Sequence, residues 1–309
     1  MDYRQRTIKD ETSCTGIGLH SGHPVNLTIK PAPADTGITF IRKDLPSRPA
    51  IKATHENVVD TTLSTTLGSN GFRVSTVEHL MASFFGLGID NARVEVDGPE
   101  VPIMDGSAAP FIFLLRSAGI REQKSPKRFV VIKRPFEIRE DGRSVRINPS
   151  KELKISYGID FNHPLLRDQS FELRFSGKEF VKEISRARTF GFLRDIQTLR
   201  DNGLALGGSL DNAIVIDDFR ILNEDGLRYK DEFVRHKILD FLGDLAILGC
   251  PVIGHFVVKK SGHTLNHLLL KKLMHSEKTW ENLAITSPEQ SAGKRFTVPV
   301  FGFSDPLHA

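Results

Sequence analysis

The sequence has little cysteine and no long apolar run. Its 309 residues include only Cys14 and Cys250, whose wide separation argues against a disulfide framework and fits a reducing compartment. Neither is expected to be a metal ligand. No segment approaches the roughly 18 consecutive apolar residues of a membrane span, so none is predicted. The polar amino-terminal segment lacks the apolar centre of a secretory signal, and a cytoplasmic protein is therefore expected.

Both signs of charge are present without a strong cluster of either. The net charge is +4 and the pI is about 9.0, but the basic residues are dispersed and form no stripe interleaved with aromatic residues. This pattern favours a small anionic substrate over nucleic acid. The length and a hydrophobic content of 39% suit about two domains with substantial cores.

Residues 230–250 are predicted to form one long helix. Acidic residues open the segment, apolar residues fill its second half, and Gly249 followed by Pro251 ends it. His236 and Asp240 lie four residues apart, so their side chains point the same way and are close enough to bind one cation. The alternative interpretation is an ordinary surface pair of histidine and aspartate.

The first part of the chain alternates between strand and helix patterns. The predicted elements are strands at 25–29, 38–41 and 91–96 and helices at 75–85 and 108–118. Ser75 and Glu78 match a capping box, which gives Glu78 a purely structural interpretation. His20 lies in the glycine-rich loop GIGLHSG, where a histidine is more often structural or exposed than functional.

The second half repeats this order. After the long helix, a strand at 254–258 and a helix at 265–274 are predicted, matching the helix, strand and helix of the first half. We therefore predict two similarly built α+β domains, each a mixed or antiparallel sheet packed with helices, with the active site between them. The predicted domains are residues 1–124 and 129–309, joined by a linker at 124–128.

One segment of the second half, residues 192–222, is predicted to be an insert that the first half lacks. Phe192, Ile196 and Leu199 have helical spacing, and a strand is predicted at 213–216. Core packing is the default interpretation of this apolar stripe. The functional interpretation is the wall of an apolar channel.

Three stretches carry side chains suited to metal-dependent hydrolysis. His79, His236 and Asp240 make a three-ligand set, and catalytic zinc sites use three protein ligands and leave a fourth position open for water. Such a site also needs a base and an acid, which Glu78 and His263 would supply.

A rival metal pair in the sequence is His263 with His267, also four residues apart. It is less favoured, because the helix is expected to begin near His263 and no third ligand stands nearby in the sequence.

Longer motifs occur at the same places in the chain. They are TVEHL (76–80), PIMDGSAAPF (102–111), SRARTFGF (185–192), NEDGLR (223–228), DEFVRHKILD (231–240) and KSGHTLNH (260–267). In this order they resemble the zinc-dependent UDP-3-O-acyl-N-acetylglucosamine deacetylases of lipid A synthesis in Gram-negative bacteria. The resemblance implies removal of acetate from UDP-3-O-(3-hydroxyacyl)-N-acetylglucosamine, the committed step of lipid A synthesis, by a two-domain enzyme expected to be a monomer.

The resemblance also implies roles for individual residues. The implied zinc ligands are His79, His236 and Asp240. The implied catalytic residues are Glu78 as general base, His263 as general acid, Thr189 as hydrogen-bond donor to the oxyanion, and Asp244 as the partner that orients His263. The implied substrate contacts are Lys237, Asp160, Phe161, Lys260, Phe190, Phe192 and His20. The insert at 192–222 would line the acyl passage, and iron(II) accepts the same ligand set as zinc.

Two other classes of function remain open from the sequence. One is a zinc amidohydrolase for a different acylated sugar nucleotide, which a panel of substrates would distinguish. The other is a noncatalytic nucleotide-binding or RNA-binding protein with a structural metal, which would normally hold the ion through four protein ligands.

Overall fold

A mixed five-stranded sheet forms in the first half of the chain. The computed structural model describes residues 3–285 and 297–301. The elements of this half are β1 (Arg4–Ile8), β2 (Thr12–Ile17), β3 (Pro24–Pro31), β4 (Ile38–Arg42), β5 (Ala50–Lys52), β6 (Val58–Asp60), β7 (Thr66–Ser69), β8 (Phe72–Val74), α1 (Glu78–Leu87), β9 (Ala92–Val96), α2 (Ala109–Ser117) and β10 (Ile120–Ile132). The sheet order is β2-β3-β9-β4-β5, and only β4 and β9 are parallel. Val25, Leu27 and Ile29 alternate along β3 and are buried, as the period of a strand requires.

The second half builds a sheet of the same order. Its elements are β11 (Phe136–Glu140), β12 (Arg143–Asn148), β13 (Lys154–Ile159), β14 (Gln169–Arg174), α3 (Gly177–Glu179), β15 (Phe190–Phe192), α4 (Leu193–Asp201), β16 (Ile214–Ile216), α5 (Glu232–Ala246), β17 (Val252–Ile253), β18 (His255–Lys259), α6 (His263–Met274) and β19 (Trp280–Ile285). Short 3-10 helices lie at His55–Asn57 and Glu277–Thr279, and a π-helical turn lies at Phe180–Ile184. The order is β11-β12-β18-β13-β14, with only β13 and β18 parallel.

The two sheets therefore share one connectivity. In each, the fifth strand along the chain lies between the second and third, and it is flanked in sequence by two helices: α1 and α2 around β9, and α5 and α6 around β18. The predicted α+β class, with similarly built halves and mixed sheets, is confirmed. The boundaries at 124 and 129 stay a prediction.

Each half carries an insert at the same point, between its fourth sheet strand and its first long helix. The first insert contains the small sheet β6-β7-β8, and the second contains α3, the π-helical turn, β15, α4 and β16. The prediction that the first half lacks such a segment is wrong. Its insert is shorter and has no helical periodicity, so it gave little signal in the sequence.

The predicted linker at 124–128 is instead part of β10, a strand of 13 residues. The first part of β10 pairs with β1, and its second part pairs with β17 and β19. Lys127 is 1% exposed, and its ammonium group donates to Asp90 and to the carbonyl of Gly88. The polar composition of residues 124–128 suggested a linker exposed to solvent. The sequence alone does not show that Lys127 is buried and paired with Asp90.

The contact between α1 and α5 joins the two halves. Every residue of α1 is buried, and a Cβ atom at Gly243 of α5 would overlap the carbonyl oxygen of Glu78. The two helix backbones therefore touch at this point. Helix α5 is shorter than the predicted 230–250, and Gly249 at φ 75° lies just beyond its end. Among the described residues, no helix has both the length and the hydropathy needed to cross a membrane.

We predict that Gly243→Ala lowers the free energy of unfolding by about 1–3 kcal/mol, because the added methyl group must displace the α1 backbone. Urea unfolding measures the change. The control is Gly158→Ala in β13, where the added carbon would meet no heavy atom closer than 3.9 Å, and where we expect a change below about 0.5 kcal/mol. Equal stability of the two variants would contradict close contact between α1 and α5.

Candidate metal centre and active site

Three buried donors from α1 and α5 converge. The Nε2 atom of His79 lies 3.5 Å from Oδ1 of Asp240, and the Nε2 atom of His236 lies 3.3 Å from the same oxygen. Residues 236 and 240 are one turn apart on α5, while His79 is the second residue of α1. Within the described ranges, these residues form a group of three metal-capable side chains whose ligand atoms lie within 4.8 Å of one another.

The donor set fits a cation such as Zn²⁺. Donors about 2.0–2.2 Å from a tetrahedral ion lie about 3.3–3.5 Å apart, as the nitrogen and oxygen atoms do here. Oδ1 of Asp240 is buried and has no hydrogen-bond partner among the described residues, whereas Oδ2 accepts a hydrogen bond from Lys237 at 2.9 Å. One buried carboxylate oxygen is thus free to bind an ion.

His236 is held in the form that a metal ligand needs. Its Nδ1 atom lies 3.0 Å from the carbonyl oxygen of Ala187, which places the proton on Nδ1 and leaves the lone pair on Nε2. Burial lowers the pKa of His236 to about 3, so the imidazole is neutral at pH 7. The sequence did not predict this role for Ala187, because a backbone carbonyl carries no side-chain signal.

Glu78 is available for chemistry and does not cap α1. The predicted capping box is wrong, because Glu78 is the first residue of α1 and no side chain caps the helix. Its Oε2 atom accepts a hydrogen bond from the backbone N–H of Thr65 at 3.0 Å. Burial raises the pKa of Glu78, although His263 and His79 oppose the shift. A raised pKa suits a carboxylate that must accept a proton near neutral pH.

His263 faces Glu78 from the first residue of α6. Its Nε2 atom lies 3.8 Å from Oε1 of Glu78, and its Nδ1 atom lies 2.9 Å from Oδ2 of Asp244. Burial disfavours the charged imidazole, but Asp244, followed by Glu78 and Asp240, opposes this effect, and together these carboxylates raise the pKa of His263 to about 9. The side chain of Asn266 also donates to Asp244 at 2.8 Å. His263 is therefore protonated at neutral pH.

A cavity of about 620 Å³ surrounds these groups. Of the predicted site residues, those that line it are Glu78, His79, His236, Asp240, His263, Thr189, Lys237, Phe161, Phe190, Phe192 and His20. Asp244 does not line the cavity, and its carboxylate lies behind His263, 2.9 Å from Nδ1 of that ring. Asp160 and Lys260 also lie outside the lining. Asp160 directly precedes Phe161 in sequence, and Lys260 forms an ion pair with Asp160 at 2.7 Å. The nucleotide-side assignment of these two residues stays a prediction.

The second insert supplies one apolar wall of the cavity, formed by Phe190, Phe192 and Leu199. No residue of α4 is buried, so the default interpretation of its apolar stripe as core is wrong. Phe192 and Leu199 line the cavity, whereas Ile196 is not among the lining residues. The ring of Phe161 contacts the rings of Phe190 and Phe192, with centroids 5.8 and 6.1 Å away.

Sequence reasoning missed several residues of the cavity wall. They are Leu19, Thr61, Thr62, Leu63, Thr76, Ile103, Arg143, Gly191, Asp195, Thr198, Gly262, Thr264 and Leu265. Thr76 has φ 57°, rare for a β-branched residue, and its hydroxyl donates to Glu100 at 2.9 Å. The first insert supplies residues 61–63, which left no signal in the sequence. Thr76, Ile103, Gly191, Gly262, Thr264 and Leu265 lie inside the motifs that carry the family resemblance, and that position was the signal that could have found them.

The rival metal pair does not form a three-residue group in the described part of the chain. His267 lies outside the group of donors, and its ring nitrogens have no hydrogen-bond partner within residues 3–285 and 297–301. Burial raises the pKa of the Cys14 and Cys250 thiols to about 11, and neither residue lines the cavity.

Comparison with known proteins gives one consistent result. The profile of the LpxC family, UDP-3-O-acyl N-acetylglycosamine deacetylase, matches residues 5–275. Proteins named UDP-3-O-acyl-N-acetylglucosamine deacetylase from Thioalkalivibrio sulfidiphilus and Nitrosococcus oceani are 55% and 54% identical, covering 97% and 96% of this chain and 99% and 98% of their own lengths. The protein of that name from Marinobacter nauticus is 58% identical over 90% of this chain and 92% of its own length. This chain therefore belongs to the UDP-3-O-acyl N-acetylglycosamine deacetylase family.

Proposed function

We propose that this enzyme hydrolyses the acetamide of UDP-3-O-(3-hydroxyacyl)-N-acetylglucosamine in the cytoplasm, releasing acetate in the committed step of lipid A synthesis. Membership of the deacetylase family supports the substrate class. The observation that carries the mechanism is the 3.8 Å separation of Glu78 and His263 beside the three donors. In this arrangement the proposed base, acid and metal site all face the acetamide bond of a bound substrate.

His79, His236 and Asp240 would hold the metal ion, which we propose to be Zn²⁺. When bound, such an ion polarises a carbonyl group and lowers the pKa of water. Glu78 takes a proton from the attacking water as its oxygen bonds to the acetyl carbon. The buried position of Glu78 raises its pKa toward the range in which a carboxylate accepts a proton effectively.

His263 completes the reaction on the nitrogen side. As the bond between the acetyl carbon and the nitrogen breaks, protonated His263 donates its Nε2 proton to the departing amine. Asp244 keeps the imidazole charged and fixes its orientation through the bond to Nδ1. The products are acetate and the free amine of the sugar.

Thr189 is the proposed donor to the oxyanion that forms on the acetyl oxygen. It lines the cavity, and its backbone is fixed by the carbonyl of Gly106 and the N–H of Ile214, both at 2.8 Å. Ala187, two residues earlier, orients His236. One short segment therefore carries the oxyanion donor and orients a metal ligand.

The two arms of the substrate would occupy different parts of the site. Cationic and polar side chains suit the UDP group, with Phe161 as a surface for the uracil ring. The residues proposed for this arm are Lys237, Asp160, Phe161, Lys260 and His20. Phe190, Phe192 and Leu199 form an apolar wall that suits the acyl chain.

Glu78→Gln should retain the metal ion and lower kcat by about 10²–10⁴-fold, because the amide cannot accept the proton. His236→Ala should lose both metal and activity. Metal analysis and acetate release measure the two properties in the same preparations. Full activity of Glu78→Gln would contradict its role as base.

The pH profile of kcat tests the acid. Activity should fall as the pH rises through the His263 pKa of about 9, since a general acid must be protonated. Asp244→Asn removes the carboxylate that raises this pKa, so the alkaline limb should move to lower pH. In His263→Gln the limb should disappear. His267→Gln, one turn along α6, is the control and should leave the limb in place; an unmoved limb in Asp244→Asn would contradict the assignment.

A further inference from the structure

Thr65 contacts both the proposed base and the partner of the proposed acid. It lies immediately before β7, in the first insert, and is 2% exposed. Its backbone N–H donates to Oε2 of Glu78 at 3.0 Å, and its hydroxyl donates to Oδ1 of Asp244 at 2.5 Å. Its carbonyl accepts from the backbone N–H of Val77, at the start of α1, at 3.3 Å. All three polar groups of Thr65 are therefore engaged.

The hydroxyl of Thr65 completes the hydrogen bonding of Asp244. Oδ2 of this carboxylate faces His263 Nδ1 at 2.9 Å and accepts from Asn266 at 2.8 Å. Oδ1 accepts from Thr65. Because both oxygens of Asp244 accept hydrogen bonds, the carboxylate cannot rotate freely. Its contact with Nδ1 then fixes the orientation of the His263 ring. Without the Thr65 hydroxyl, Oδ1 of Asp244 would stay buried but would lose a hydrogen bond to a charged oxygen, which is costly.

The position of Thr65 in the chain gives this contact a further consequence. Glu78 belongs to the first half, whereas Asp244 and His263 belong to the second. The 3.8 Å between base and acid therefore depends on how the halves meet. Thr65 hydrogen-bonds Glu78 in the first half and Asp244 in the second. It therefore limits how far these two residues can separate.

We propose that Thr65 is a positioning residue that holds base and acid in register for proton transfer at one acetamide. This inference rests on the proposed function, because it assumes that Asp244 serves the acid. Thr65 does not line the cavity, and it is not among the metal donors. Its loss should therefore act on kcat, with substrate binding and metal content unchanged.

The test compares three variants of the full-length, metal-loaded enzyme. Thr65→Val has nearly the shape of threonine and keeps the backbone bonds to Glu78 and Val77, but it removes the hydroxyl. We expect kcat to fall about 10–100-fold, the effect of losing a hydrogen bond to a charged group, with KM and metal content as in wild type. Thr65→Ser keeps the hydroxyl and should recover most of the rate.

The matched control is Thr66→Val. Thr66 is the next residue, is 3% exposed, and uses its hydroxyl on Ser75 at 3.1 Å, outside the acid and base contacts. Its kcat should stay near that of wild type. If Thr65→Val does not fold, Thr65→Ala removes the same hydroxyl. Equal kcat values for the Thr65 and Thr66 variants, or metal loss that accounts for the lower rate, would overturn the inference.

A double-mutant cycle separates a local role from general loss of structure. If Thr65 acts through Asp244, adding Thr65→Val to Asp244→Asn should lower kcat no further than Asp244→Asn does alone. Independent multiplication of the two losses would overturn the inference while leaving the proposed function intact. Wild-type kcat in Asp244→Asn itself would instead overturn the acid assignment on which the inference depends.

Discussion

The close crossing of α1 and α5 is the constraint on which the site depends. Gly243 allows the α5 backbone to touch that of Glu78, and this approach brings His79 beside His236, with ring centroids 5.0 Å apart. A larger residue at position 243 would push α1 away and separate His79 from the other two donors. Helix packing sets the metal site, and the sheets support the helices.

The repeated architecture explains why one site is built from both halves. Each half contributes a helix from the same place in its sheet connectivity, and each carries an insert immediately before that helix. The first insert supplies Thr65 and residues 61–63, while the second supplies Ala187, Thr189 and the wall formed by Phe190, Phe192 and Leu199. The shared framework thus holds the metal donors, and the two differing inserts shape the rest of the cavity.

Local patterns predicted the elements better than the contacts between them. The spacing of His236 and Asp240 indicated one face of a helix, and α5 confirms it. No local pattern connects His79 to that pair, because 157 positions of chain separate it from His236 and only the tertiary fold brings them together. The chemistry of a three-ligand zinc site suggested His79, and the family resemblance implied the same residue. The capping-box and linker predictions failed for Glu78 and Lys127 because buried partners far away in sequence determine what these residues do.

The central claim is that His79 and the α5 pair bind one catalytic metal ion. The most direct measurement is the metal content of protein purified without added metal, paired with acetate release from UDP-3-O-(3-hydroxyacyl)-N-acetylglucosamine, for wild type and His79→Ala. The account predicts one ion per chain and measurable release in wild type, with both lost in His79→Ala. Wild-type metal content and acetate release in His79→Ala would contradict it.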